Sequence, residues 1–398
     1  MDADSSGVNW AERQQRTLRS LQRRLVEHIK ASRTTDMADA PMANPARVYA
    51  DPVRYEAERK KLFLELPLVA GLSGDIPNTG DTLVFDGAGR PIIVVRDAAG
   101  RANAFLNMCR HRGARLVNDG GCHARFTCPF HSWSFDLNGR LVGQPGKLSF
   151  EGLDAGQLGL VQVPCAEWHG LIFVKAQPGS GPVDVEAHLG SFAPELAEIG
   201  LESFAPVKSG VMKANGNWKY VLETFGESYH LASLHPTTLA NTIFSNVLLF
   251  DRFAPHHRIG FAPRSYGELV DKPEGEWPEL YNVLYMIFPN TAMLLGSPMP
   301  GHMFIQLFRI FPNGISATDT HFTLYAPADS LNEQSRAVAS AGFDLARGII
   351  ETEDFSVAGG AQRNLLAAPP GFKVNYGRNE VALQHLHRDL AAAIGMPL

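Results

Sequence analysis

The spacing of apolar positions changes several times along this chain, and each change marks a stretch of different expected structure. Leu18, Leu21, Leu25, Val26 and Ile29 recur at helical spacing, with Arg16, Arg19, Arg23, Arg24 and Lys30 around the other faces; this predicts an amphipathic helix near the N-terminus. A basic amphipathic helix suits a membrane or a partner, but docking on its own or a neighbouring subunit is the simpler expectation. Met37 to Pro52, with its Pro and Ala residues, reads as a connector. From about Leu62 to Ala176 the runs become short and β-like, as at Asp81 to Phe85, Pro91 to Val95 and Leu171 to Val174. Gly-bearing turns at Asp86-Gly87-Ala88-Gly89 and Asn138-Gly139 cut them, which predicts a compact antiparallel β domain. Gly179 to Pro182 reads as a linker. Beyond it, helical stretches (Trp218 to Leu234, Leu331 to Phe355, Glu380 to Ile394) mix with strand-like runs (Ala292 to Leu295, Met303 to Ile310, Thr318 to Tyr325). The fold class expected is therefore α+β, with helices laid on an antiparallel sheet in the C-terminal half. The expected organisation is a helical arm over 1–45, a β domain over 46–178 and an α+β domain over 183–398.

Composition narrows the function classes. A chain of 398 residues, 45% hydrophobic and 19% charged, has the make-up of a globular protein with room for two or three domains. A net charge of −5 gives no reason to expect a nucleic-acid partner, which would want a basic face. The most apolar stretch, Tyr281 to Phe311, is broken by Pro289, Pro298, Pro300 and His302, so no membrane span of about 20 residues is expected. The first residues are acids and Ser rather than a basic and then apolar run, so no secretory signal is expected and the location expected is cytoplasmic. Four cysteines do not make a disulfide framework.

Candidate chemistry concentrates in two places. The first is Cys109-Arg110-His111-Arg112-Gly113 and, with sixteen residues between His111 and Cys128, Cys128-Pro129-Phe130-His131. Two thiolates and two imidazoles in two short loops match a Rieske [2Fe–2S] centre, with cysteines on one iron and histidines on the other. A Cys2His2 zinc site takes the same ligands, but a one-residue gap within a pair is unusual for it. Gly113 and Pro129 permit tight loops whose N–H groups can face bridging sulfides. Cys122 and Cys165 have no partner at ligand spacing and are expected to be buried, inert thiols.

The second place is Glu227-Ser228-Tyr229-His230-Leu231-Ala232-Ser233-Leu234-His235-Pro236. On a helix Glu227 and His230 share a face, and a bend at Pro236 would return His235 beside His230. Two histidines with one carboxylate, leaving open positions for O2 and substrate, is the pattern of a non-haem Fe(II) oxygenase site. The pairs His256-His257 and His385/His387 are expected to be surface or packing residues.

The stretches Asn107 to Arg115 and Phe126 to Phe135, followed by the Glu227/His230/His235 set, resemble the α subunits of Rieske non-haem iron, aromatic ring-hydroxylating oxygenases. The resemblance runs from about Val48 to the C-terminus. It implies an N-terminal Rieske domain and a C-terminal catalytic domain. It implies one [2Fe–2S] cluster on Cys109, His111, Cys128 and His131, and one mononuclear Fe(II) per subunit on His230 and His235. It also implies an aspartate ligand from an acid-rich stretch followed by Gln; in Glu351-Thr352-Glu353-Asp354, ahead of Gln362, Asp354 matches best and Glu353 is the alternative. Glu227 would bridge His131 of one chain to His230 of its neighbour; many members have Asp there. A separate NAD(P)H reductase, with or without a ferredoxin, and a homotrimer or α3β3 assembly are implied. The activity implied is mono- or dioxygenation of an aromatic or other hydrophobic substrate, as in aromatic hydrocarbon catabolism. Oxidative N- or O-dealkylation or oxygenation of a quaternary amine is the alternative. A non-catalytic Rieske electron carrier would lack the second set. Tyr285 to Phe288, Ala292 to Leu295 and Met303-Phe304 are the expected pocket wall, or else simply sheet core.

Overall fold

The computed structural model describes residues 10–299 and 302–398; residues 1–9 of the expected arm, and Pro300, lie outside them. The chain divides into two compact units, one made of Arg59–His188 with Leu201–Ala205, the other of the segment up to Glu58, Leu189–Gly200 and Pro206–Leu398.

The smaller unit is built from antiparallel sheet. One sheet of five strands runs in the order Gln162–Val163, Ala102–Leu106, Ile92–Arg96, Asp81–Phe85, Gly121–Cys122. A second, of three strands, joins Cys165–Trp168, Leu171–Val174 and Leu68–Leu72. A third small sheet, Phe126–Thr127, Ser134–Phe135 and Leu141–Gly143, carries the second Cys/His loop. Ile93, Val95, Phe105, Phe126, Trp133 and Phe135 form one buried cluster with Cys109 and Cys128. The two loops are thus rooted in the hydrophobic core while their tips reach the surface.

The larger unit holds a seven-stranded sheet, ordered Phe204–Ala214, Thr318–Pro327, His302–Pro312, Thr291–Met299, Asn282–Ile287, His256–Pro263, Ile243–Phe253. The expected helix over Leu331 to Phe355 is longer and irregular: Glu333–Ile349 passes through a π-helical turn, Ile350–Asp354, into Phe355–Leu366. Phe343 stacks on Phe322 at 4.3 Å, Phe322 on Phe308 at 4.4 Å, and Phe308 meets Phe225 at 4.8 Å. This column ties the helix, through the sheet, to the segment just before Glu227.

The N-terminal helix, Trp10–Lys30, docks on strands of its own chain, Ile243–Phe253 and His256–Pro263. Leu18, Leu21, Leu25 and Val26 are buried there, and Arg23 and Arg24 pair with Glu274 and Asp251. Four buried aliphatic side chains at about 1.5–3 kcal/mol each account for the docking. The expected connector is structured as well. Met42–Pro45 is a strand paired antiparallel with Lys373–Tyr376, and Ala46–Tyr49 continues as a short helix with Tyr49 fully buried. Residues 46–58, expected to open the β domain, therefore belong with the larger unit. A buried ion pair holds them there, Lys219 Nζ to Glu58 Oε2 at 2.8 Å, with Trp218 Nε1 donating to the same oxygen at 2.9 Å.

Candidate metal centres

The two Cys/His loops share one construction. Gly113 N donates to Cys109 O at 2.9 Å, and Ser132 N donates to Cys128 O at 3.0 Å, so each loop closes four residues after its cysteine. Both closing residues have positive φ, 74° at Gly113 and 57° at Ser132. Gly adopts that conformation freely, whereas an L-residue pays about 1–2 kcal/mol. The tight turns aim N–H groups at sulfur: His111 and Arg112 at Cys109, Phe130 and His131 at Cys128. Burial is the largest influence on both thiols and raises the Cys109 pKa; at Cys128 the N–H groups and the Cys109 contact outweigh it, and the pKa falls.

The two sulfurs lie in mutual contact, and the His111 and His131 rings are 4.5 Å apart. His111 stacks on buried Trp133 at 5.0 Å, which fixes its plane. Nδ1 of His111 and Nδ1 of His131 are both buried with no hydrogen-bond partner. Two convergent thiols, two convergent imidazoles and two orphaned ring nitrogens fit a [2Fe–2S] cluster bound Cys2His2. The rim is exposed and carries Met108, Arg110, Arg112 and Phe130, with the Arg112 guanidinium 5.0 Å over the Phe130 ring.

The second centre departs from the expected single helix over Trp218 to Leu234. Asn217 caps Trp218–Glu223, its side chain accepting from Lys219 N at 3.1 Å, and the helix then stops. The chain turns over residues 224–226, and Gly226 passes close to Leu383: a Cβ there would lie 2.5 Å from Leu383 Cδ2, so that leucine end would have to shift. Glu227 lies outside any helix, and Leu231–Leu234 forms a separate short helix ending at His235 before Pro236. The expected bend at that proline is present, and the His230 and His235 rings are 5.1 Å apart.

One ligand atom each from His230, His235 and Asp354 lies within 4.8 Å of the other two. Asp354 Oδ1 faces Nε2 of both histidines, at 3.7 Å from His230 and 3.4 Å from His235. The other ring nitrogens face glutamates. His230 Nδ1 meets Glu227, and His235 Nδ1 meets Glu353 Oε2 at 2.5 Å, an oxygen that also accepts from Thr238 Oγ1 at 3.0 Å. Glu353, the alternative ligand by sequence, thus stands behind His235 and not in front of it. The π turn makes this possible, since consecutive residues reach opposite sides of one imidazole. Glu227 also accepts from Tyr229 N and His230 N, a turn that sets its carboxylate against His230. Burial alone would lower the His235 pKa, but Asp354 and Glu353 outweigh it and the shift is upward. The position favours a cation, and His235 Nε2 is buried with no hydrogen bond. Carboxylates fixing the outer nitrogen of metal-binding histidines is the usual device for setting tautomer and ring orientation, so the donor set fits a mononuclear iron with open positions.

A cleft of about 260 Å³ adjoins this set, and His230 and Asp354 lie in its wall with Tyr220, Glu223, Glu227, Tyr376 and Glu380. Burial, then the charges of Glu227 and Glu223, raise the Glu380 pKa against the backbone N–H of Gly377. The expected wall residues Tyr285 to Phe288 do not line it; they are buried sheet core, Tyr285 lying beside Phe192. Sequence reading missed Glu223, Tyr376 and Glu380, because nothing in their spacing connects them to His230. His256, His257 and His387 are buried, not surface residues. Cys122 is exposed, which corrects its expected burial, and Cys165 is half-buried with burial pushing its thiol to about 12.

Residues 67–165 match the Rieske [2Fe-2S] domain family, and residues 201–395 match the family described as the ring hydroxylating alpha subunit, catalytic domain. The chain is 30% identical over 210 residues to the glycine betaine monooxygenase oxygenase subunit of Pseudomonas aeruginosa (strain UCBPP-PA14), an alignment covering 52% of this chain and 48% of that protein. It thus spans about half the length of that relative. To the carnitine monooxygenase oxygenase subunit of Escherichia coli (strain K12) it is 25% identical over 335 residues, covering 81% and 83% of the two chains. A crystal structure of a quaternary ammonium Rieske monooxygenase superposes with a TM-score of 0.75 at 20% identity, covering 89% of this chain and 96% of that one, a likeness of fold. With a Rieske domain followed by this catalytic domain, the chain belongs to the Rieske non-haem iron oxygenases, in the ring-hydroxylating α-subunit family.

Proposed function

We propose that this chain is the terminal oxygenase component of a multicomponent Rieske system. It would use O2, and electrons from a separate NAD(P)H reductase directly or through a ferredoxin, to oxygenate a small organic molecule. The observation that carries the reading is the His230, His235 and Asp354 set, with a carboxylate behind each histidine and a cleft in front. A non-catalytic electron carrier has no use for it. When bound, the [2Fe–2S] cluster holds one electron at a time and the mononuclear iron activates O2 beside the substrate. Cys109, His111, Cys128 and His131 would hold the cluster. Asp354 with Nε2 of each histidine would hold the iron, and Glu353 and Glu227 would keep both imidazoles in the ligating tautomer.

Glu227 has a second part in this reading, bridging His230 to His131 of a neighbouring copy within a homotrimer, or within an α3β3 assembly. Its support is complementary chemistry: an exposed basic rim of Arg110 and Arg112 around His131, and an acidic cleft of Glu223, Glu227 and Glu380 around His230.

For the substrate, an aromatic or other hydrophobic molecule is one reading, and a quaternary or alkylated amine is the other. The cleft favours the amine, because Glu223, Glu227, Asp354 and Glu380 line it and, among the described residues, neither Arg nor Lys does. Charge of one sign in a concave wall concentrates ligands of the other. The test is O2 uptake by the reconstituted protein with a generic reductase, across alkylamines, betaines and neutral aromatics. Uptake coupled to an amine product supports the second reading, and coupling to a neutral aromatic alone rejects it. No substrate-coupled uptake in a protein carrying both iron centres would reject the oxygenase reading.

A further inference from the structure

Behind the cleft lies a cluster that neither metal centre uses. Tyr49, Tyr376, Glu223 and His387 come from four separate segments and bury their polar ends together. Tyr49 Oη donates to Glu223 Oε1 at 2.7 Å, and Tyr376 Oη donates to Glu223 Oε2 at 3.2 Å. The two phenol oxygens touch each other, and His387 Nε2 lies 3.1 Å from Tyr49 Oη, 2.9 Å from Tyr376 Oη and 2.9 Å from Glu223 Oε1. Each phenol therefore has two proton acceptors in hydrogen-bond reach. Tyr376 and Glu223 also form part of the cleft wall that includes His230 and Asp354. Tyr220, from the same wall, packs edge-on against Tyr49 with centroids 6.0 Å apart.

We propose that Tyr376 and Tyr49 are a redox-active pair that takes up oxidising equivalents generated at the iron site when no organic substrate is there to consume them. The inference rests on the mononuclear iron reading above. Burial, followed by the Glu223 charge, pushes both phenols well above their ordinary pKa, so neither is present as phenolate. The Lys219 ammonium 5.8 Å over the Tyr49 ring further disfavours a protonated radical. Loss of an electron must then be accompanied by loss of the proton, and Glu223 and His387 are in place to receive it.

With hydrogen peroxide as the oxidant the step balances. One electron comes from ferrous iron and one from the phenol, the O–O bond breaks, and both oxygens leave as water. Two protons are consumed, one from the phenol through Glu223 or His387 and one from solvent. The products are ferric iron, a neutral tyrosyl radical and two waters. A purely structural cluster, pinning the Met42–Pro45 and Lys373–Tyr376 ribbon to the C-terminal helix Val381–Ile394, would make the same hydrogen bonds and give no radical.

The test uses full-length, iron-reconstituted protein with its [2Fe–2S] cluster left oxidised and therefore silent in EPR. It is mixed with hydrogen peroxide without organic substrate and frozen rapidly. A narrow radical signal is expected, and its hyperfine pattern should collapse when ring-deuterated tyrosine is incorporated. In Tyr49→Phe/Tyr376→Phe the signal should fall to background. Parallel samples treated with nitric oxide report iron at the His230 site in both proteins, and circular dichroism reports folding. No tyrosyl signal in wild-type protein that shows the iron–nitrosyl signal overturns the proposal alone. An undiminished signal in the folded double variant does the same. Absence of the iron–nitrosyl signal in wild type overturns the iron reading, and the proposal with it.

Discussion

The two metal centres of this chain are built on opposite plans. The Cys109/His111 and Cys128/His131 loops are two renderings of one local device, each closed by its own N–H four residues on and each rooted in the same hydrophobic cluster. The His230, His235 and Asp354 set has no local closure. It depends on a helix that ends at Glu223, on a second short helix, and on a π turn 118 residues beyond His235, measured to Glu353. A centre written into loops needs little from the rest of its unit; a centre assembled from distant elements inherits every defect in their packing. The first should tolerate change elsewhere in the chain, and the second should not.

The largest expected effect breaks the comparison cleanly. Asp354→Ala should remove the mononuclear iron and all substrate-dependent O2 uptake while leaving the reduced-Rieske EPR signal at wild-type intensity. Cys128→Ser should do the reverse, abolishing that signal while cobalt(II) still binds at the histidine pair. If Asp354→Ala also loses the Rieske signal, the centres are not independent.

Next in size is a change remote from both. Lys219→Met leaves Glu58, itself only 1% exposed, with Arg54 Nε at 3.4 Å as its remaining ion-pair partner. Leaving a buried charge wholly uncompensated costs about 3–5 kcal/mol, and with Arg54 still in place the expected cost is about 2–3 kcal/mol. Urea denaturation should show the larger unit destabilised by that amount, with the visible absorbance of the cluster persisting to higher urea.

A smaller effect tests the carboxylates behind the histidines. Glu353→Gln keeps the shape and weakens the hold on His235 Nδ1, and should lower ferrous affinity by about 10–100-fold in chelator competition. An unchanged affinity would mean that the imidazole is fixed by packing alone.

The smallest effects fall on the loops and on acid stability. Gly113→Ala should cost about 1–2 kcal/mol, since the new side chain meets only Met108 Sδ at 3.6 Å and the penalty is backbone strain at φ 74°. Ser132→Gly should move stability by under about 1 kcal/mol, because relief of that strain is offset by glycine's greater chain entropy. Arg96 braces Glu167 in the smaller unit at 2.5 Å. Burial would raise the Glu167 pKa, but hydrogen bonds from Arg96 and Ser73 and the Arg96 charge bring it below 4.5. The brace is therefore fully present above 4.5 and is lost as pH falls through the depressed folded value. Glu167→Gln should flatten the acid limb of that unit's stability curve; an unchanged limb would remove Glu167 from the account.

Legibility in the sequence followed the same division. The Cys/His loops, the β runs around them and the amphipathic face of the first helix could be read because each is specified by neighbours in sequence. So could the bend that returns His235 to His230, since Pro236 enforces it. The end of the helix at Glu223 could not be read, because helical spacing of apolar residues runs on to Leu234, and the connector became a strand only because Lys373–Tyr376 offers it an edge. Asp354 and Glu353 could be placed near the histidines, but their division of labour depends on a π turn that no periodicity announces. The Tyr49 and His387 contact spans 338 residues and carries no motif. The expected pocket wall failed for a related reason: apolar runs look alike whether they face a ligand or the core.

The π turn Ile350–Asp354 also bears on how this segment tolerates insertions and deletions. It holds one residue more than an α-helical turn would, so deleting a residue there would let the helix regularise with its flanks still in register, and the spacing that sends Glu353 and Asp354 to opposite sides of His235 would be lost. Thr352, exposed on the outer side of the turn, can vary freely by comparison. In a library covering this region, chain length would be the inherited trait under strictest selection, and residue identity would matter only at the two positions that face His235.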